Sequence, residues 1–306
     1  MKLQPVLEIG GTHVTAALVD LLGANVVASV RRPIDSDGDG AALLDAIASP
    51  ACELISDGQS APEVEKTWGV AIPGPFDYAG GIGDFTGIGK FWGLHGVDVG
   101  QGLVRRLPAD ARHMVFLNDA DAFALGEWAL SRPAPARAVY LTLGTGVGSC
   151  YLADGWPVKS GPGLPADGHV HRLRWNGQPL EEWVSRRALV RDYFLASGRE
   201  LDVRQIAELA RAGDGVAGGV LERAYKLLGE IVGPSVKAFG ADRVVVGGSI
   251  ARSWDLVEGP LAAGLAASRG SSKVVPEPHR ASGLDEAPIL GAAVAAGRAM
   301  AQDGAR

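Results

Sequence analysis

Cysteine is nearly absent from this chain. Its two copies, Cys52 and Cys150, stand far apart in 306 residues. That spacing excludes a disulfide framework and a cysteine-built metal knuckle, and it is the usage of a reduced, cytoplasmic protein. Also missing is an uncharged apolar run long enough to span a membrane, and the N-terminus has no apolar signal segment. An excess of basic charge is missing too. Lys and Arg number 29 against 35 Asp and Glu, a net charge of −6, which disfavours nucleic acid as a partner. With 47% hydrophobic residues, the chain can bury a large core divided between two domains.

What the chain has in plenty is glycine, 43 residues, gathered at the ends of apolar runs rather than spread as low-complexity sequence. The runs read as strands: Val6–Asp20 (with a turn inside), Lys66–Asp77, His113–Asp119, Ala138–Gly155 and Asp242–Ile250. Helical periodicity falls at Gly40–Ile47, Ala120–Leu130, Leu180–Leu195, Val203–Arg211, Val220–Phe239 and Ile289–Ala301. In the fifth of these, Leu221, Ala224, Tyr225, Leu228 and Val232 share one face. Strands alternating with helices indicate an α/β fold. The segment "SRPAPARA" (Ser131–Ala138) breaks the pattern and reads as a linker. Near the start of each half stand "LEIGGTHVTAALVD" and "LTLGTGVGSCYLAD", each a strand, a Gly–Thr turn, a second strand and an Asp. A duplicated domain with one such hairpin per copy is the simplest reading.

Each motif has a plain structural reading beside the chemical one. Gly10, Gly11 and Thr12 form either an ordinary turn or a cradle of N–H groups and a hydroxyl for phosphate oxygens. Gly144, Thr145 and Gly146 repeat the choice, and the repetition favours phosphate. Glu8, beside the first turn, is a hard-oxygen donor suited to Mg²⁺ through water. Asp119 follows a strand and opens a helix. It is either a helix cap or a carboxylate at the strand's C-terminal end, aimed at a substrate hydroxyl. Gly247 and Gly248 end the run "VVVGGSI", as a strand-to-helix turn or as bare backbone against an adenine ring.

Taken together and in this order, these motifs resemble the ROK family of repressors, open reading frames and kinases, within the actin-like ATPase superfamily. The resemblance runs from about Val6 to about Ala301. It rests on "EIGGTHVTAALVD", "VAIPGPFD", "NDADAFALGE", "LTLGTGVGS", "GHV" with "LEEWVS", and "VVVGGSI" with "ILGAAVAAG". It implies two duplicated actin-like, ribonuclease-H-like α/β domains around an ATP and sugar cleft. The expected divisions are 1–118, 119–288 and a C-terminal helix in 289–306 packing back on the first domain. The implied activity is ATP-dependent phosphorylation of a hexose or aminohexose at its 6-hydroxyl, with Mg²⁺. Asp119 is implied as the base; Asn118, His169 and Glu181 as sugar ligands. Gly10, Gly11, Thr12, Gly144, Thr145 and Gly146 are implied as phosphate ligands, and Gly247 and Gly248 as adenosine contacts. A homodimer is implied as well. The repressor branch carries a DNA-binding domain before the first phosphate motif, and that motif begins here at Glu8.

The chain departs from the family pattern at three places. Ala166 stands where members commonly have Glu in Glu-x-Gly-His. Asp121 replaces the usual second Asn of the catalytic motif. The stretch "HRLRWNGQPLE" (His171–Glu181) lacks the family's zinc-binding cysteines, so no structural zinc is expected. Leu173, Trp175 and Leu180 are then the apolar residues expected to hold the loop, and Asp167 and Glu181 the acids to attract a sugar ammonium. "GIGDFTGIGKFWGLHGVDVG" (Gly81–Gly100) resembles members that phosphorylate amino sugars such as kanosamine. The helix N-terminus is expected to depress the pKa of Asp119.

Overall fold

The structure, a computed structural model, describes residues 2–56, 63–108, 110–268 and 276–303. It divides into two compact units, Met1–Ser131 with Asp285–Arg306, and Arg132–Leu284.

In the first unit β1 (Gln4–Ile9), β2 (His13–Asp20), β3 (Asn25–Pro33), β4 (Thr67–Ile72) and β5 (His113–Asn118) form one sheet in the order β3-β2-β1-β4-β5. β1 runs antiparallel to β2 and parallel to β4, and β4 runs parallel to β5. The central strands read as unbroken apolar runs because both faces are covered. On one face Trp68, Val70 and Ile72 join Leu43, Leu44, Ile47 and Ala51 of α1 (Gly40–Ser56) in a single core. On the other face lies α6 (Ala287–Asp303), packed against β1, β4 and β5. Glu8 alternates with Leu7 and Ile9 and so belongs to the α6 side.

Helix α6 also crosses α2 (Asp119–Leu130) at very short range. A Cβ on Gly126 would collide with the carbonyl of Ala287, and one on Gly291 with the carbonyl of Ala122. Only glycine lets the two backbones meet this closely. This crossing explains why the division falls at Ser131 rather than at the expected Asn118. α2 belongs to the first unit because its partner helix does. The break sits at the segment "SRPAPARA". Residue 1 and residues 304–306 of the expected divisions lie outside the described residues.

In the second unit β6 (Arg137–Leu143), β7 (Val147–Ala153), β8 (Trp156–Pro157), β9 (Arg243–Gly247) and β10 (Pro278–Arg280) are ordered β8-β7-β6-β9-β10. β6 is antiparallel to β7 and parallel to β9, and β9 is parallel to β10. Strand order and directions repeat those of the first unit, as duplication requires. The long helix α4 (Gly215–Phe239) buries Leu221, Ala224, Tyr225, Leu228 and Val232 as its periodicity predicts. Its N-cap Asp214 accepts from the N–H groups of Val216 and Ala217, both at 2.9 Å, and Gly240 ends it in the left-handed conformation.

Two elements differ from expectation. The helix expected over Leu180–Leu195 is two: a short turn at Glu181–Val184, then α3 (Arg186–Ser197). Ser185 separates them in extended backbone, its hydroxyl accepting from Ala188 N–H at 3.3 Å, the local competition with helix that serine offers. α5 (Trp254–Ala267) carries Pro260 inside it and gave no periodic signal.

Candidate functional site

The first glycine turn is closed by its own backbone. Gly10 N–H donates to His13 C=O at 2.8 Å and Ile34 N–H to Thr12 C=O at 3.0 Å. Thr12 is exposed at the tip, its hydroxyl 2.8 Å from His13 Nδ1. Over Gly11 lies the ammonium of Lys90, 2.8 Å from where a Cβ would stand.

The β5–α2 junction holds Asn118 and Asp119. Asn118, not Asp119, is the N-cap: its Oδ1 accepts from Ala120 N–H at 3.0 Å. Its Nδ2 donates to Tyr78 Oη at 3.0 Å, and the Tyr78 hydroxyl donates to Ile72 C=O at 3.3 Å. Tyr78 is held protonated by desolvation, which raises its pKa. Asp119 is therefore spared the capping role, although one of its oxygens also lies 3.0 Å from Ala120 N. It is open to solvent at its surface, yet protein atoms crowd the carboxyl enough that desolvation raises its pKa. The Ala120 N–H opposes this, and the Asp121 charge adds to it. The expected depression by the helix N-terminus is thus corrected: desolvation outweighs the N–H groups.

Glu8 stands opposite Thr15 in the β1–β2 register. Desolvation raises its pKa, a hydrogen bond from Thr15 and the charge of Arg31 oppose the rise, and the charge of Asp119 adds to it. The structure therefore brings Glu8 and Asp119 into one electrostatic neighbourhood.

In the second unit Gly144 N–H donates to Gly146 C=O at 3.0 Å, and Arg186 N–H to Gly144 C=O at 3.1 Å. Glu181 braces this turn: its Oε1 accepts from Val147 N–H at 2.8 Å, and a Cβ on Gly146 would strike that same oxygen. Ser249 Oγ stands 3.4 Å from where a Cβ on Gly144 would be, so the turn after β9 lies alongside. Within that turn Gly248 has φ +84°, and a Cβ there would collide with the Leu143 carbonyl. Close packing on β6 thus accounts for this glycine without any ligand. A cavity of about 670 Å³ opens beside Thr145, walled by Arg186, Arg187, Val190 and Phe194 of α3 and by Leu201. Sequence reading missed it, because its lining joins Thr145 to residues along α3 and in the following loop, far away in the chain.

His169 sits between two short turns, Ala166–Gly168 and Val170–Arg172, with its ring stacked on that of His171 at 5.1 Å. Buried Ser149 clamps the chain on both sides of it. The Ser149 hydroxyl donates to Gly168 C=O at 2.7 Å and accepts from Val170 N–H at 2.9 Å. Val170 and Leu180 are fully buried in the second core and Leu173 packs against it, whereas Trp175 is 39% exposed. Trp175 therefore does not hold the loop as expected. Asp167 is paired with Arg172 at 2.5 Å on the surface.

Among the described residues no three His, Cys, Asp or Glu side chains gather as a metal cage. Mg²⁺ that arrives with a nucleotide keeps several waters and needs only one or two carboxylates beyond the phosphates. Glu8 fits that need. It is a hard-oxygen donor beside the first turn, its ionised form disfavoured by desolvation and by Asp119, and a cation would relieve both.

The ROK family model matches residues 6–299. A glucokinase from Thermotoga maritima is 30% identical, over 94% of this chain and 95% of the relative. The crystal structure of a ROK hexokinase from Thermus thermophilus is 26% identical. It superposes with a TM-score of 0.79, over 98% of this chain and 99% of that one. A ROK family glucokinase from Streptomyces griseus, solved with glucose and AMPPNP, is 21% identical with a TM-score of 0.73, over 97% and 99% of the two chains.

Proposed function

This chain belongs to the ROK family, and from that premise we propose that it is an ATP-dependent sugar kinase acting on the 6-hydroxyl of a hexose or aminohexose, with Asp119 as the proton acceptor. The observation that carries the reading is the condition of Asp119. It is a reachable carboxyl at a strand end, relieved of capping by Asn118, with its pKa raised toward the range useful to a base. Structural caps have no need of a raised pKa.

In this mechanism Asp119 orients the hydroxyl and takes its proton as the hydroxyl oxygen bonds to the γ-phosphorus. The bond from that phosphorus to the β,γ-bridging oxygen breaks, and ADP leaves. Bound Mg²⁺ would supply charge neutralisation at the phosphate oxygens, with Glu8 as its water-mediated protein partner. With the N–H groups of Gly10 and Gly144 bonded within their own turns, Gly11, Thr12, Thr145 and Gly146 are the turn residues left to offer N–H groups and hydroxyls to phosphate. The transition state of phosphoryl transfer is loose, so positioning dominates. Asn118 has one amide hydrogen and one lone pair left for the sugar after its bonds to Tyr78 and Ala120. Glu181 retains Oε2, and His169 is steadied by the Ser149 clamp. The nucleoside end suits the cavity of about 670 Å³ beside Thr145, with Phe194 as an apolar wall and arginines at hand; Gly247 and Gly248, the other backbone proposed for it, lie outside that cavity's lining.

Ala166 leaves the sugar site one carboxylate short, and Asp167 is occupied by Arg172. Such a site cannot strongly penalise an altered hydroxyl, and Glu181 remains as the acid for an ammonium. An aminohexose is then a substrate at least as good as glucose. A coupled assay of ADP release with glucose, glucosamine and 3-amino-3-deoxyglucose tests both levels. No sugar-dependent ADP release would sink the kinase reading in favour of a sugar-binding regulator. A clear preference for glucose would sink only the aminohexose.

A further inference from the structure

Lys90 lies in the segment Gly81–Gly100, to which the mechanism above gives no role, and its placement is specific. Its side chain lies along the bare backbone of Gly11. A Cβ there would meet Nζ at 2.8 Å, Cδ at 3.7 Å and Cε at 3.8 Å. Among the described residues Lys90 has no hydrogen-bond or ion-pair partner. An ammonium in no ion pair among the described residues, resting on a turn suited to phosphate, is a charge that an anion can take.

The loop that presents it is held under strain. Thr86–Lys90 is exposed, but the residues at its two ends, Phe85 and Phe91, are buried. Both phenylalanines have left-handed backbone, φ +49° and +57°, a conformation that costs a non-glycine residue about 1–3 kcal/mol. They persist because the surroundings fix them. Their rings pack at 5.4 Å, Phe85 N–H donates to Pro75 C=O and Phe91 N–H to Ser36 C=O, each at 2.8 Å. Between them Gly87 and Gly89 supply two more left-handed residues with open space where a Cβ would be. Four left-handed residues in seven bend the segment tightly and end it with Lys90 on the phosphate turn.

We infer that Lys90 is a ligand of the γ-phosphate, supplying positive charge to the transferring phosphoryl group from above the Gly10–Thr12 turn. The inference rests on the kinase reading, because that reading brings a nucleotide triphosphate to this turn. It also accounts for the build of the "TGIGK" loop, since a lysine that merely solvates the surface needs neither buried phenylalanine anchors nor left-handed backbone.

The test separates the two readings by measuring binding apart from turnover. Calorimetry with AMPPNP and with ADP is done on the wild type, Lys90→Met and Lys90→Arg, followed by sugar-dependent ADP release. Lys90→Met is expected to weaken AMPPNP at least about tenfold while ADP changes less than about twofold, and to lower kcat by about 10²-fold. Sugar affinity should stay at the wild-type value, and Lys90→Arg should recover part of the loss. Equal effects on both nucleotides, or kcat within about twofold of wild type, overturn the role of Lys90 while leaving the kinase reading in place. A wild type that binds neither nucleotide overturns both.

Discussion

Asp119 raises the pKa of Glu8, although one opens a helix after β5 and the other lies inside β1. Two acids that titrate above their ordinary values in one poorly hydrated neighbourhood oppose folding at neutral pH. They are what a site for a cation and a reacting hydroxyl calls for.

Replacing Asp119 with Asn should therefore separate activity from stability. The folded pKa of Asp119 lies above its unfolded value, so its contribution to stability is full below the unfolded pKa and is lost as pH rises through the folded one. At pH 7 the wild type carries that loss and the Asn variant does not. The variant should melt at a higher temperature at pH 7, with the difference fading on acidification. Its kcat should fall by about 10²–10⁴-fold, with sugar affinity by calorimetry nearly unchanged. Near wild-type turnover would show that another group takes the proton.

The acid side of the pH–rate profile should report the same carboxyl. Protonated Asp119 cannot accept, so kcat/KM should drop as pH falls through a pKa above the ordinary aspartate value of about 3.9. The charge of Asp121 contributes to that rise. In Asp121→Asn the acidic limb should move to lower pH. A limb that stays where it was would detach Asp121 from the site's electrostatics.

Ser149 is expected to matter to the sugar more than to ATP. Ser149→Ala leaves the Gly168 carbonyl and the Val170 N–H without their partner in a buried place, about 1–3 kcal/mol for each unsatisfied group. The melting temperature should fall, and KM for the sugar should rise severalfold as His169 loses its support. KM for ATP should hold; a parallel rise in both would point to general loosening of the second unit.

Two helical glycines in unlike surroundings should respond with opposite signs. Gly126→Ala drives a Cβ into the Ala287 carbonyl, which is backbone and cannot swing aside. Overpacking of this kind costs about 1–3 kcal/mol or more, and displacement of α2 should lower kcat as well. Gly218→Ala, inside α4 with open space around it, should gain about 0.5–1 kcal/mol from helix propensity. Chemical denaturation of both variants checks the pair.

Much of this was legible in the sequence, for identifiable reasons. The central strands announce themselves because burial on both faces demands unbroken apolar runs. The Gly–Thr turns stand out because such runs do not otherwise stop on two small residues. α4 shows its face at Leu221, Tyr225 and Leu228. By contrast β3 alternates half-buried and exposed residues and leaves only a faint signal. α5, with Pro260 and scattered glycines, follows no helical pattern. The direction of the Asp119 shift was unreadable because it depends on how many tertiary atoms surround one carboxyl, whereas the sequence displays only the helix beginning there. The brace of Glu181 on Val147 and the pose of Lys90 over Gly11 join residues far apart in the chain, and no local pattern encodes them.

The α2–α6 crossing has a bearing on biosynthesis. The second unit, Arg132–Leu284, is one continuous stretch, while the first is assembled from Met1–Ser131 and Asp285–Arg306. On a translating ribosome the second unit is complete before the helix that covers β1, β4 and β5 exists. Until Ala287–Asp303 emerges, the α6 side of the first sheet is bare and the notch at Gly126 is unfilled. The N-terminal half, though made first, is therefore the last to become native. A chain ended just past Leu284 and released should display a protease-resistant second unit joined to a protease-sensitive first one, and Asp119 acquires its surroundings only once Ala287–Asp303 has packed onto the first sheet.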